Sequence, residues 1–412
     1  MPFSTGVFKT LAYRVESAWA TAPGTGSASL LRRVRSGLDL SKNSYSSNEI
    51  RADQQIADMR HGTRRVEGPI DGELSPGTYA DFMAGILRKN WVAGVTTGAQ
   101  TDVTAAAGPP GTFTTAGAFN WLTLGFKIGD IVRWTGWATT GTGNNTRNYR
   151  ITALTATVMT VGTAATGAAA QPEVVGAKAA GDSVTCTVVG KKTMVPSTGH
   201  IEKSFWIEHW FSDISQSEQF SGCEVATMAL NLPPTGMSTI SMSFMGKDRV
   251  TDTAQYFVSP AAVTTSGVLA AVNGIIRVNG ADLAYLTGLS MNINGNLGGA
   301  EVVGSNVTPA LFPGRVLVSG QFTALFTDAT MRDYFTNETE ISLIAQMTTS
   351  SAINADFINI ILPRIKVGSA TKDDQERQIS QSFSFQALLN TSGGTGTTGD
   401  ASTIIIQDSL AP

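Results

Sequence analysis

A stretch of 18 residues occurs twice in this chain, and this repeat constrains the fold more than any other feature of the sequence. Residues 66–83 (VEGPIDGELSPGTYADFM) align without a gap on residues 318–335 (VSGQFTALFTDATMRDYF), at an offset of 252. The two segments share a valine, a glycine, a threonine and an aspartate, and apolar residues replace one another at three further positions. A repeat of this kind indicates a duplicated structural unit.

The segments on either side repeat in the same order. Residues 36–43 (SGLDLSKN) align on residues 287–294 (TGLSMNIN) at an offset of 251, and residues 240–244 (ISMSF) align on residues 379–383 (ISQSF) at an offset of 139. The first copy therefore has 113 extra residues after its repeated segment, the difference between the offsets 252 and 139. We interpret them as an inserted domain.

These offsets predict how the chain is divided. We expect an N-terminal arm at residues 1–29 and a discontinuous first unit at residues 30–91 and 199–255. The inserted domain takes residues 92–198, and the second unit takes residues 256–388. A flexible Gly/Thr-rich link and a C-terminal strand follow at residues 389–412. At 412 residues the chain is long enough for several domains with their own cores.

The repeated segment of the first copy starts with a strand that has one acidic face. Apolar residues or glycines alternate with other residues from 66 to 74, and the acids are Glu67, Asp71 and Glu73. Because side chains alternate across a strand, these acids share a face, where paired carboxylates could act as acid and base. The second copy has Thr323 and Leu325 at the positions of Asp71 and Glu73. We therefore favour a solvated or channel-facing strand.

A short amphipathic helix is predicted after this strand in each copy. Ser75 followed by Pro76 is typical of a helix start, and Thr327 is the corresponding cap in the second copy. The insert has short apolar stretches separated by Gly-Asp turns, which favours a small β-barrel or sandwich. The predicted fold is mainly β, with two tandem β-sandwich or barrel units, each with one short helix, plus the inserted β domain.

A long polar excursion at residues 41–62 separates the first strands of the first copy. Excursions of this length in compact domains are usually functional or form interfaces. The candidate contact residues in and beside it are Ser46, Asn48, Glu49, Arg51, Asp53, Asp58, Arg60, Arg64 and Arg65. The arginines could contact nucleic acid, but the net charge of −3 and the nearby acids favour ion pairs between subunits.

The composition excludes several classes of protein. A pI near 5.7 argues against a protein that grips nucleic acid through its phosphates. No apolar run is long enough for a membrane helix, and the N-terminal residues lack the apolar core of a signal peptide. We therefore expect a protein that stays in the cytoplasm where it is made or leaves inside an assembly.

The sequence offers no local motif for catalysis or for a cofactor. His61, His200 and His209 are not at metal-ligand spacing, and no nucleophile elbow or phosphate-binding loop is present. Cys186 and Cys223 are far apart in sequence, so buried, free thiols are favoured over a disulfide. We expect neither an enzyme nor a bound metal or cofactor.

Three segments of the sequence closely resemble a known family. They are residues 30–91, residues 203–213 (KSFWIEHWFSD) and residues 222–248 (GCEVATMALNLPPTGMSTISMSFMGKD), and the C-terminal half continues the match. They resemble the tail tube (major tail) proteins of long-tailed, non-contractile bacteriophages, the siphophages. The resemblance implies a β-sandwich or barrel with one flanking helix. Such subunits form stacked rings in which their sheets join edge to edge into an inner barrel, and a long loop reaches the adjacent ring.

The resemblance also implies a function and partners. DNA would cross the lumen during ejection without specific binding, and Glu67, Asp71 and Glu73 become candidates for an acidic lining that repels phosphate. The implied partners are further copies of the chain and the tape measure, tail terminator and distal tail proteins. The implied location is the virion tail, with assembly in the host cytoplasm.

The duplication leads to an expectation about the ring. If each half of the chain is one tube unit, three chains form a ring with pseudo-sixfold symmetry, and a hexamer of whole chains is the alternative. A sheath-like or decoration protein on the virion exterior is the rival function.

Overall fold

The computed structural model describes residues 3–108, 110–163, 176–283, 285–374, 376 and 378–412, and these residues form a mainly β fold. The helices are α1 (Ala80–Leu87), α2 (Trp121–Leu124) and α3 (Thr330–Thr336), with short 3₁₀ helices at Thr139–Asn144 and Ala271–Asn273. The strands, in chain order, are β1 (Lys9–Val15), β2 (Ser29–Leu30), β3 (Arg35–Ser36), β4 (Asp39–Ser46), β5 (Met59–Glu73), β6 (Val92–Ala93), β7 (Val103–Ala106), β8 (Gly111–Thr115), β9 (Ile131–Thr135), β10 (Asn148–Leu154), β11 (Val158–Thr163), β12 (Thr185–Val188), β13 (Lys191–Met194), β14 (Phe205–Phe211), β15 (Gln216–Leu232), β16 (Thr239–Gly246), β17 (Asp248–Asp252), β18 (Gly274–Val278), β19 (Ala281–Asp282), β20 (Leu286–Asn294), β21 (Leu297–Gly299), β22 (Leu311–Pro313), β23 (Leu317–Leu325), β24 (Ile341–Thr348), β25 (Phe357–Asp374), β26 (Ile379–Ala387) and β27 (Ile405–Asp408).

The first unit has two layers of strands that share the long strand β15. In the inner sheet, β3 and β4 pair with β5, β5 pairs with β16, and β16 pairs with the C-terminal half of β15. In the second layer, β2, β1 and β14 lead to the N-terminal half of β15, which β17 flanks on its other side. A bulge between Val225 and Thr227 lies where β15 passes from one layer to the other.

The second unit repeats this arrangement strand for strand. Its inner sheet has the order β20, β23, β26 and β25, and its second layer contains β19, β18, β24, the N-terminal half of β25 and β27. The bulge in β25, between Val367 and Ser369, matches the bulge in β15. Helix α1 packs on β15 as α3 packs on β25. The predicted fold class of two tandem β units with one short helix each is confirmed.

The strand pairing moves two parts of the sequence alignment by two residues. Leu40 faces Val66 as Ile293 faces Val318, so residues 36–43 correspond to the second copy at an offset of 253 and not 251. The match of ISMSF with ISQSF moves in the same way. Across β5 and β16, Ile70 faces Met242. Across β23 and β26, Phe322, the equivalent of Ile70, faces Phe383 with their rings stacked 5.0 Å apart. The equivalent of Met242 is therefore Phe383, at an offset of 141 and not 139. The matching letters of ISMSF and ISQSF displaced the alignment by two residues, which left every side chain on its correct face.

The two inner sheets join into one continuous eight-stranded sheet. Strand β15 of the first unit pairs antiparallel with β20 of the second, from Thr227 opposite Asn294 to Leu232 opposite Leu289. We call this pairing the internal seam. Leu230 is buried opposite Met291 at its centre, and one hydrophobic core runs through both units. The two units are therefore fused as a single folded body.

The insert has its own antiparallel sheet, in the order β12, β9, β10, β11, β8 and β7. The sheet lies within residues 92–198, and its core contains Phe113, Trp121, Trp134 and Tyr149. At its base, β6 pairs with β13, and β13 pairs with the C-terminal strand β27. The insert thus emerges beside the last strand of the second unit.

The Gly/Thr-rich segment before β27 is bound to the insert, so the expected flexible link is wrong. The Lys127 ammonium donates to the carbonyls of Gly394 (2.6 Å) and Thr397 (2.7 Å). Lys192 forms ion pairs with Asp130 (2.6 Å) and Asp400 (3.0 Å). The high glycine content predicted flexibility because glycine gives the backbone local freedom. It carries no information about the distant lysines that fix the segment.

Both predicted helix starts are too early. Helix α1 begins at Ala80, because Gly77 has a φ of 74° and cannot belong to a right-handed helix. Ser75 lies in the turn before it, and α3 begins at Thr330, three residues after Thr327. Ser-Pro-Gly-Thr therefore forms a turn between strand and helix.

Part of the predicted N-terminal arm is a strand of the first unit. Strand β1 pairs with β14 along its whole length, and Leu11 and Tyr13 are buried in the core. The alternation in this segment is too short to predict a strand from sequence, and the pairing with a distant strand stabilises it.

Candidate assembly surfaces

The excursion at residues 41–62 is a protruding β-hairpin. Strands β4 and β5 stay paired as far as Ser46 opposite Met59, and the Ser47 amide donates to the Asp58 carbonyl (2.9 Å). The sequence predicted the excursion but not its strands, because its side chains are almost all polar and exposed. Regular pairing makes the hairpin an extended arm whose tip is residues 47–58.

The charged candidate residues of this hairpin, except Glu49, have ion-pair partners within the described part of the chain. The ion pairs are Arg51 with Asp53 (3.0 Å), Arg60 with Asp58 (2.7 Å), Arg64 with Asp248 (2.6 Å) and Arg65 with Glu67 (2.5 Å). Ser46, Asn48 and Glu49 are exposed near the tip. Exposed pairs of this type add little stability, so they stay available for exchange with another surface.

The tip also exposes apolar side chains that the sequence reasoning missed. Ile50 is fully exposed and Ile56 is 75% exposed, with Tyr45 and Met59 more than half exposed. The available signal was two isolated isoleucines in the polar run NEIRADQQIADM. Covering an exposed isoleucine with a partner stabilises a complex by about 1.5–3 kcal/mol. The hairpin therefore has the character of a docking element.

The three acids of β5 lie on the face of the inner sheet that points away from the core, because Val66 and Ile70 are buried on the other face. Asp71 accepts hydrogen bonds from Arg35 (3.1 Å) and Ser241 (2.5 Å). Glu67 is paired with Arg65, whereas Glu73 has no ion-pair partner in the described part of the chain. The acids do not converge on a shared site.

Hydroxyl and amide side chains surround these acids across the sheet. Polar residues on the same face of other inner strands are Thr239, Ser241 and Ser243 of the neighbouring β16, and, in the second unit, Ser319, Gln321 and Thr323 of β23 and Ser380, Ser382 and Ser384 of β26. The acids belong to the first unit only, since Ser319, Thr323 and Leu325 occupy their places in the second. We call this surface the polar face.

A buried acid lies where the two units meet beside α1. Burial, with repulsion from Glu202 and Glu16, raises the pKa of Glu224 to about 7. Nearby, Arg88 at the end of α1 donates to the carbonyls of Gly314 (2.6 Å) and Gly295 (2.7 Å). These carbonyls belong to the second unit's own excursion, which contains β21 and β22 and packs back on the first unit. Arg88 therefore supports the internal seam.

One cluster has the residue types of a hydrolase, but its geometry is unsuitable. Ser36 Oγ lies 2.8 Å from His209 Nε2, whereas His209 Nδ1 lies 3.8 Å from Glu218, longer than a hydrogen bond. His209 is fully buried, and burial lowers its pKa to about 4, with Lys9 and Arg33 adding repulsion. We interpret the cluster as a polar contact between β3 and β14.

The other residues considered for chemistry are not brought together. His61 and His200 are exposed, and Cys186 and Cys223 are free, buried thiols, as expected from their spacing. Within the described ranges, no three His, Cys, Asp or Glu side chains are arranged to hold a metal ion. In the same residues, no helix combines the length and apolar character needed to cross a bilayer.

Comparison with known proteins gives one result. A family model described as phage tail tube protein matches the chain twice, over residues 9–191 and 153–387. The two matches together run from β1 to the end of β26, and a tandem match agrees with the two equivalent units. No curated protein sequence matches the chain.

Proposed function

The chain belongs to the phage tail tube protein family, and from this premise we propose that it polymerises as stacked rings around a lumen that DNA crosses during ejection. The continuous eight-stranded inner sheet carries the proposal. Two equivalent four-stranded sheets are already joined edge to edge within one chain. The same type of pairing, repeated between chains, would extend the sheet until it closes as a barrel.

The number of strands favours a ring of three chains. Three chains contribute 24 inner strands and six chains contribute 48, since each has eight. With strands about 4.8 Å apart and tilted by about 40°, the backbone diameters are roughly 48 Å and 96 Å. The smaller barrel is wide enough to conduct one hydrated duplex. A trimer with pseudo-sixfold symmetry is therefore preferred over a hexamer.

The polar face is the proposed lining of the lumen. It consists mainly of hydroxyl and amide side chains, with Glu67, Asp71 and Glu73 contributed by each first unit. A wall without a basic stripe binds phosphates weakly, so DNA can slide along it. The acids would repeat three times around a trimeric ring.

The hairpin at residues 41–62 is the proposed contact between rings. Its exposed tip offers Ile50 and Ile56 for burial, and its exposed ion pairs can exchange partners. Further expected partners are the tape measure, tail terminator and distal tail proteins of a siphophage. Assembly would take place in the host cytoplasm.

The rival proposal is a sheath-like or decoration protein on the virion exterior, and electron microscopy separates the two. The purified chain alone should form hollow tubes of uniform width with threefold or pseudo-sixfold rings. A protein that binds only to a preformed tail would not. Folded chains that form no tubes under any assembly condition would count against the tube proposal.

A shortened hairpin tests the contact between rings. Replacing residues 47–58 by Asn-Gly joins Ser46 and Met59 through a two-residue turn that suits an antiparallel pair. The variant should keep its circular dichroism spectrum and lose its tubes. Val258→Ser is a control, because Val258 is 70% exposed but lies outside the hairpin. Normal tubes from the shortened variant would refute the role of the hairpin.

A further inference from the structure

We propose that the internal seam is the template for the contact between neighbouring chains, so that the end of β25 pairs antiparallel with β3 and β4 of the next copy in one defined register. The proposal rests on the proposed tube function and specifies the surface that carries it. The partner is a second copy of this chain.

At one end, the second half of β25 has a free edge. Strand β15 has β16 on one side of its C-terminal half and β20 on the other. Its equivalent, β25, has β26 on the first side, and in the described residues no strand pairs with the other side beyond Ile365. We call residues 366–373 the trailing edge.

At the other end, β3 and β4 lack a neighbour. Their equivalent β20 pairs with β23 on one side and with β15 on the other. Strands β3 and β4 pair with β5, and no further strand flanks them in the part of the chain that the structure describes. We call residues 35–41 the leading edge. The trailing edge is thus equivalent to β15 without its partner β20, and the leading edge is equivalent to β20 without its partner β15.

The register follows from residues that face equivalent partners in the two units. Val225 faces Phe244 as Val367 faces Phe385, each next to a bulge, so β15 maps on β25 at an offset of 142. Leu289 faces Phe322 as Ser36 faces Ile70, so β20 maps on β3 and β4 at an offset of 253.

Applied to the residue pairs of the internal seam, these offsets predict which residues face each other between chains. Thr227 faces Asn294 across the internal seam, which places Ser369 opposite Ser41 of the next copy. By the same transfer, Leu230 opposite Met291 becomes Lys372 opposite Leu38. A shift of one residue would place a side chain of the polar face opposite the buried Leu38, so the register is strongly constrained.

The free edges are more polar than the internal seam. Lys372 and Asp373 are exposed on the trailing edge, and Lys372 Nζ lies 3.7 Å from the centre of the Phe326 ring. Asp39 is exposed on the leading edge. Charged side chains on a sheet edge oppose pairing with unrelated strands. The chain can therefore stay unassembled until the matching edge of another copy arrives.

Disulfide trapping tests the register. Ser41→Cys with Ser369→Cys places two thiols on directly opposed positions, where Cα atoms about 4.5–5.5 Å apart allow a bond. Both serines lie at the polar face, and the native cysteines are buried. Mild oxidation of assembled tubes should give covalent species that end at a trimer on a non-reducing gel.

A shifted pair is the matched control. Ser41→Cys with Asp373→Cys moves one thiol by four residues, about 13 Å along the strand, which is beyond disulfide reach. This pair should stay monomeric on the gel. Equal linking by both pairs, or linking by the shifted pair alone, would overturn the register.

Hydrogen exchange of the wild-type chain keeps the proposal testable if the cysteine variants fail to fold. Peptides that cover residues 366–373 and 35–41 should exchange more slowly in tubes than in the free chain. Unchanged exchange at either edge in well-formed tubes would refute the pairing. Tubes without the bond between positions 41 and 369 count against the register alone. Folded wild-type chains that never form tubes count against the proposed function itself.

Discussion

The substitution Lys372→Leu should strengthen assembly, because it gives the trailing edge the residue that the internal seam has at the same place. The equivalent of Lys372 is Leu230, which is only 1% exposed opposite Met291. Lys372 itself is exposed, and the transferred register places it opposite Leu38 of the next copy. The variant thus makes the contact between chains resemble the contact that already holds the two units together.

The size of the effect follows from the area that would be buried. Fully burying a leucine contributes about 1.5–3 kcal/mol, and removing the exposed lysine from the Phe326 ring loses about 0.5–1 kcal/mol. The net gain is about 0.5–2.5 kcal/mol for each contact between chains, a factor of roughly 2–70 in the equilibrium constant. The critical concentration for assembly should fall by a factor in this range.

Sedimentation of tubes over a series of protein concentrations measures the critical concentration. Thr371→Leu is the matched control, since Thr371 is the exposed neighbour of Lys372 and points to the opposite face of the strand. It should lower the critical concentration much less. An unchanged or higher critical concentration for a folded Lys372→Leu variant would refute the reasoning. An equal drop for Thr371→Leu would mean that added apolar surface, and not the seam, drives the effect.

Two buried charges lead to further predictions. Burial raises the pKa of Glu224 from 4.5 to about 7, so the wild-type fold should lose about 3 kcal/mol as pH rises from 4.5 through 7. Glu224→Gln should not show this loss, and urea unfolding profiles that run parallel from pH 5 to pH 8 would contradict it. Lys192→Met should lower the free energy of unfolding by about 3–5 kcal/mol, because Asp130 is only 1% exposed and loses its cation. Asp130→Asn should cost less, since Lys192 keeps Asp400; equal losses in tryptophan-monitored urea unfolding would contradict the larger cost assigned to the Asp130 carboxylate without its cation.

Local alternation and the internal repeat were enough to predict the architecture. Val66 and Ile70 of β5 and Leu74 directly after it lie at even spacing, hence on one face, and all three are fully buried. The duplication predicted two equivalent units because each must bury the same faces. The size of the insert followed from the change in offset, to within the two residues by which ISMSF and ISQSF were misaligned.

Several features that the sequence did not predict depend on distant partners. Strand β1 forms because β14 lies beside it, and the Gly/Thr-rich segment is ordered by Lys127 and Lys192 of the insert. The free edges are invisible in sequence for the same reason. Strand β25 alternates like any inner strand, and only the pairing of its equivalent β15 with β20 shows that a neighbour is lacking.

Because two units are fused in one chain, fewer seams have to form between chains to close a ring. In the proposed trimer with six units, three of the six seams would be internal and would form when each chain folds, with Leu230 and Leu289 buried in them. The other three would form between chains, where Lys372 and Ser36 occupy the equivalent positions. Because the internal seams need no assembly, the edges between chains can be polar without leaving the ring dependent on six weak contacts. The duplication thus accounts for a chain that carries charged edges and still has a complete template for the contact proposed between chains.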